Sequence, residues 1–179
     1  MRPFLFLLAA PLLLADTKCA CDPSQPETLK ERQCSLCVEA EKQPLNGPPV
    51  FFLIDSNPRK ANRTLALPRL HAPGLHRMAD LPRDTQTTLW AAAIAKAHEL
   101  FPQDDWGLAF NGDHVRTQCH THIHIGRLLP GIETENFIVV DNPNAIPPPD
   151  DNGYWIHPIA NGKLHIHRGE QITETVLLR

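Results

Sequence analysis

Cys119-His120-Thr121-His122-Ile123-His124-Ile125 places three imidazoles at every second position. Alternate side chains of an extended strand share one face, so His120, His122 and His124 are expected to present together while Ile123 and Ile125 enter a core. A neutral imidazole is a competent nucleophile toward phosphorus, and it is also a metal ligand. Asn111, Arg116, Thr117 and Gln118 precede the run in a turn-prone stretch that can fold back beside it. They supply two amides, a guanidinium and a hydroxyl, the donors that phosphate oxygens need as charge develops in a transition state. The plainer reading is a strand with a solvated polar face or an adventitious metal site. That reading is preferred for His165-Ile166-His167, on which nothing else in the sequence converges.

A second chemical signal is Cys34-Ser35-Leu36-Cys37, whose spacing lets two thiolates reach one metal ion. The cysteines stand at 19, 21, 34, 37 and 119, an odd number, so at least one has no partner within the chain. Disulfides are the default in an exported protein. Cys34 and Cys37 are therefore open to three fates: a metal clip, a bond to each other, or pairing of one of them with Cys19 or Cys21.

The elements that must position these groups follow from periodicity. Val50-Phe51-Phe52-Leu53-Ile54 and Thr64-Leu65-Ala66-Leu67 are short β-type runs, so 50–68 reads as a strand pair joined by a polar turn. From Asp84 to about Phe101, Trp90, Ile94, Ala97 and Phe101 recur at helical spacing until Pro102 stops the pattern. Gly107-Leu108-Ala109-Phe110 predicts a strand, 119–126 the next, and 137–140, 154–159, 163–167 and 172–178 four more. Residues 20–48 are polar and proline-containing, with no element assigned. Strands, one long helix, then strands make an α+β plan with the helix packed on an antiparallel sheet.

With 179 residues, 42% hydrophobic, the chain suits one domain with a substantial core. Its net charge is −3 and no basic run occurs, which argues against a nucleic-acid partner. Arg2 followed by the apolar run 4–14 reads as a signal peptide or short membrane anchor over residues 1–20, because eleven residues fall short of the roughly 17–25 that span a bilayer.

Arg116-Thr117-Gln118-Cys119-His120-Thr121-His122-Ile123-His124-Ile125 resembles the histidine-triad superfamily, and within it the bacterial CDP-diacylglycerol pyrophosphatases. An Arg-Thr-Gln before the triad and an Asn at the place of Asn111 carry the likeness. So does Phe52-Leu53-Ile54-Asp55, a turn, then Thr64-Leu65-Ala66-Leu67-Pro68-Arg69-Leu70-His71. The resemblance covers about 34–128. It implies a histidine-triad-like catalytic domain at 21–130, with 131–179 as a β-rich C-terminal extension packed on it. By position, it makes His122 the nucleophile and gives phosphate oxygens to His124, Asn111, Thr117 and Gln118. Asp55 falls where relatives bind ribose hydroxyls, and Arg116 and Arg63 are assigned to the substrate, Arg63 standing where many relatives have His.

The implied reaction is cleavage of CDP-diacylglycerol to CMP and phosphatidate through a nucleotidyl-histidine, with no catalytic metal required. The same resemblance implies a structural zinc on Cys34, Cys37, His71 and His120. It also implies an exported, periplasmic or inner-membrane-associated location and a nucleoside-diphosphate-linked lipid at a membrane surface as substrate, and it allows a homodimer. The alternatives are a hydrolase or transferase of soluble nucleotides, and an exported zinc-binding protein whose histidine face carries the metal.

Overall fold

The computed structural model describes residues 19–179, so the targeting segment read at 1–20 lies outside the described residues but for its last two. The chain is α+β. Seven strands, β1 (Val50–Ile54), β2 (Thr64–Pro68), β3 (Trp106–Phe110), β4 (Ile123–Arg127), β5 (Phe137–Val140), β6 (Gly153–Pro158) and β7 (Leu164–Glu170), form one antiparallel sheet in the order β1-β2-β4-β3-β6-β7-β5. Residues beyond 130 therefore continue the central sheet, since β6 pairs directly with β3.

Helix α2 (Arg83–Leu100) packs across one face of this sheet. It buries Gln86, Leu89, Trp90, Ala93 and Ala97 as one stripe, with Ile94 and Phe101 packed at its margin. Ile123 and Ile125 meet that stripe from β4, as do Leu108 from β3 and Ile156 from β6. Alternation turns the intervening residues to the opposite face. There, Leu65, His124, Ala109, Trp155, His167 and Phe137 stand in one transverse row across six strands.

That second face is covered in two patches. Helix α1 (Ser35–Glu41), formed in a stretch where the sequence suggested no element, packs Leu36 and Ala40 over Phe51, Leu65 and Leu67. The chain's end packs Val176 and Leu177 over Ala109 and Trp155. Between the two covers the sheet is open.

Two expected strands are corrected. The strand read at 119–126 begins only at Ile123. Its ladder with β2 ends at Ala66↔Ile123, because Pro68 has no N–H and its carbonyl is taken by His120 Nε2 at 2.8 Å. The strand read at 172–178 is instead a 3₁₀ turn, Glu174–Val176, with a single bridge between Leu128 and Leu177. Asn111 Oδ1 accepts from the amides of Thr173 and Glu174, which bends that segment into the turn.

Candidate active site

The open strip between the two covers is a cleft of about 450 Å³. Its floor is β2 and β4, and the 111–122 loop brings up one wall. His122, His124, Asn111, Arg116, Thr117, Gln118 and Asp55 all line it, so one site gathers seven of the residues singled out in the sequence.

His122 sits just before β4 with Nδ1 2.9 Å from the carbonyl of His120. A carbonyl only accepts, so Nδ1 carries the proton and Nε2 keeps its lone pair. Burial first, and then the neighbouring His124, push the imidazole's pKa down to about 3. The ring is therefore neutral, with Nε2 unprotonated, through the physiological range. His124 meets it edge-on, with ring centroids 4.9 Å apart.

His124 lies between two carboxylates. Asp55 Oδ2 is 3.7 Å from Nδ1, and Glu174 Oε2 is 3.5 Å from Nε2. Burial raises the pKa of Asp55, but His124, the Asn57 amide and Lys60 outweigh it and hold the carboxyl below its usual value. Glu174 is held down in the same way, against its burial, by His124, Lys60 and Arg63. Both are carboxylates at neutral pH. Lys60 Nζ pairs with Glu174 at the cleft wall.

Several expected donors have other partners. Gln118 Oε1 accepts from Ser35 Oγ at 2.7 Å and its Nε2 donates to the Arg32 carbonyl at 3.3 Å, tying the 111–122 loop to α1. Arg116 donates to the His76 carbonyl at 2.7 Å and pairs with Asp113 at 3.0 Å. Asn111 spends its Oδ1 on the Thr173–Glu174 turn, which fixes Glu174 against His124. Thr117 is exposed at the cleft.

Arg63 is a correction: it does not line the cleft. Its buried guanidinium donates to the Leu177 carbonyl at 2.7 Å, the Leu178 carbonyl at 3.1 Å and Glu174 at 3.2 Å. It straps the chain's end to β2. Glu174 and Lys60, which do line the cleft, were missed. Their only signals were charge in a polar turn and a segment read as strand.

The four expected zinc ligands are not brought together. Cys34 is disulfide-bonded to Cys21 and Cys19 to Cys119, with Cα separations of 5.7 and 5.4 Å, which leaves buried Cys37 as the free cysteine. Cys34 precedes α1 as its N-cap and faces the N-terminal segment, whereas Cys37 faces His71 and His120. The donor atoms of those three lie within 4.8 Å of one another. His71 Nε2 and His120 Nδ1 are buried without a hydrogen-bond partner, so the remaining set fits a metal ion. The disulfides suit an exported protein. Among the described residues no helix is long and apolar enough to cross a membrane.

The expectation that nothing converges on His165 and His167 does not hold either, because His157 and Glu133 close on both. The chain matches no family model and no curated protein.

Proposed function

We propose that the chain is a phosphohydrolase that cleaves the pyrophosphate of a CDP-linked diacylglycerol through a nucleotidyl-histidine at His122. The observation that carries this reading is the fixed tautomer of His122, whose Nδ1–H is held by the His120 carbonyl in a cleft-lining residue. The resemblance of the 116–125 segment to CDP-diacylglycerol pyrophosphatases, with a histidine-triad-like fold, supplies the substrate class.

Nε2 of His122 attacks the nucleotide phosphorus, and the anhydride P–O bond breaks with its electron pair going to the departing phosphomonoester oxygen. A phosphomonoester leaves readily, so protonation of the leaving group is not essential. His124, oriented by Asp55 and Glu174, faces the transferring group, with the Thr117 hydroxyl and Asn111 Nδ2 as further donors to its oxygens. In the second half, water forms the new P–O bond and releases its proton to solvent, the N–P bond returns its electrons to His122, and CMP departs. Ile54 and Ile172 are exposed one residue before Asp55 and two before Glu174, which suits acyl chains at the cleft rim.

Cys37, His71 and His120 would hold a structural zinc that cross-links α1 and the segment after β2 to the catalytic loop, supplying rigidity and no step of the reaction. An exported chain working at the periplasmic face of a membrane fits both the substrate and the disulfides.

The test is turnover of CDP-diacylglycerol to CMP, with acid-quenched protein analysed for a nucleotidyl adduct on His122. His122→Ala should abolish both while leaving circular dichroism unchanged. Near-normal turnover by His122→Ala refutes the nucleophile. Faster cleavage of a diadenosine polyphosphate than of the lipid refutes the substrate class and favours soluble nucleotides.

A further inference from the structure

The second histidine cluster lies on the same sheet face as the cleft but apart from it. His124 and His167 occupy one transverse row three strands apart, about 14 Å at the usual strand spacing. His157 on β6 is registered opposite His165 on β7, and His167 lies two residues further along β7. Glu133 reaches them from the loop before β5.

Four groups, each able to ligate a metal ion, converge. Glu133 approaches His157 Nε2 at 3.3 Å, His165 Nδ1 at 3.5 Å and His167 Nε2 at 3.0 Å. The two Nε2 atoms of His157 and His167 are themselves 3.2 Å apart. His157 Nδ1 faces the Pro158 carbonyl at 3.1 Å, which can only accept, so that nitrogen holds the proton and Nε2 is a bare lone pair. His167 Nδ1 is met by the Thr134 hydroxyl at 2.8 Å, the outer contact that fixes a metal-binding imidazole. His165 Nδ1 is buried with no hydrogen-bond partner. Lone pairs and a carboxylate brought this close repel unless a proton or a metal cation sits among them.

The spacing suits a small divalent cation. Ligand atoms about 2.0–2.1 Å from a tetrahedral zinc ion lie about 3.3 Å from one another. Here Glu133 Oε2 to His157, Glu133 Oε1 to His165 and His167, and His157 to His167 run from 3.0 to 3.5 Å, and one atom from each of the four residues lies within 4.8 Å of the others. The rings are held in place without the ion, as Trp155 stacks on His167 at 3.5 Å and Phe137 on His165 at 3.9 Å. Three imidazoles and one carboxylate favour a borderline divalent ion over calcium or magnesium, which take oxygen shells.

We infer that Glu133, His157, His165 and His167 form a second metal site, distinct from the Cys37–His71–His120 set, that binds a zinc-class divalent ion. Four protein ligands close the shell, so the ion pins the 131–136 loop across β6 and β7.

The full chain, stripped with a chelator and titrated with zinc, tests this. In a Cys37→Ser background, which removes a ligand from the other set, one zinc equivalent should bind. Its X-ray absorption should show nitrogen and oxygen neighbours and no sulfur. Zinc should also raise the melting temperature. Glu133→Gln should weaken binding by about tenfold or more, and His165→Ala should abolish it together with the thermal shift. In the wild-type chain His165→Ala should reduce the tight zinc count by one and Glu133→Gln should weaken that same equivalent, so the outcome does not depend on how the Cys37→Ser chain folds. Both substitutions fall on partly exposed side chains, so folding can be checked independently by circular dichroism. An unchanged zinc count in both variants, or saturation only at millimolar zinc, overturns the inference.

Discussion

Replacing Arg63 by Met tests whether this arginine is a strap or a substrate ligand. Its guanidinium makes three bonds, to the Leu177 and Leu178 carbonyls and to Glu174, with its side chain 2% exposed. Hydrogen bonds to a charged group are worth about 1.5–3 kcal/mol each, so the gross loss is about 4–9 kcal/mol. Much of that is recovered. Met retains most of the aliphatic packing, and Lys60 keeps its pair with the partly exposed Glu174. A net loss of about 3–4 kcal/mol remains, chiefly from the orphaned carbonyls, which in a chain of this size lowers the melting temperature by roughly 6–16 °C. Urea unfolding of Arg63→Met, Glu174→Gln and the double variant measures it. The two losses should be less than additive by about 1 kcal/mol or more, since either change breaks the same pair. KM should move little. A stability loss below about 1 kcal/mol combined with a large rise in KM would return Arg63 to the substrate and refute the strap.

Four further outcomes are expected. With the pKa of His122 near 3, its imidazole stays unprotonated until the pH approaches that value, so the acid limb of kcat/KM should show no bend near 6.5. A bend there, matched by the His122 ring titrating near 6.5 in NMR, contradicts the burial argument. The same depressed value means that the unfolded chain binds the proton and the folded chain does not between about pH 3 and 6.5, so stability should fall as pH drops through that window. Cys119→Ser opens a disulfide spanning 100 residues, for which chain entropy alone gives a loss of about 4–5 kcal/mol. Denaturant titration should show that loss, and a difference under 1 kcal/mol would mean that the pair is not formed. Zinc held at the buried set should be lost in Cys37→Ser and His120→Ala and kept in His122→Ala, as measured by metal analysis. Equal loss in all three would place the ion on the catalytic loop instead.

The sequence alone determined those features that depend on neighbours a few positions away. The apolar stripe of α2, the runs that became β1, β2 and β3, and the inward Ile123 and Ile125 beside the outward His124 are all written in local periodicity. So was the gathering of Asn111, Thr117, Gln118, His122 and His124, because a loop feeding a strand keeps them close in the chain.

Tertiary structure decided what rests on long separations. Glu174 meets Lys60 across 114 residues and His124 across the sheet, and no local pattern marks it. Cys34 went to Cys21 because its place at the start of α1 turned it from Cys37, an alternative that spacing left open. Arg63 became a strap because the chain's end passes over β2, which only the sheet order reveals. His165 and His167 looked like a solvated face until the β6–β7 register set His157 opposite and the 131–136 loop delivered Glu133. Hydrophobic alternation fixes which face a side chain takes. Strand order and register fix which distant groups share that face, as with Glu174 and Lys60 in the cleft and His157 and Glu133 beside His165 and His167.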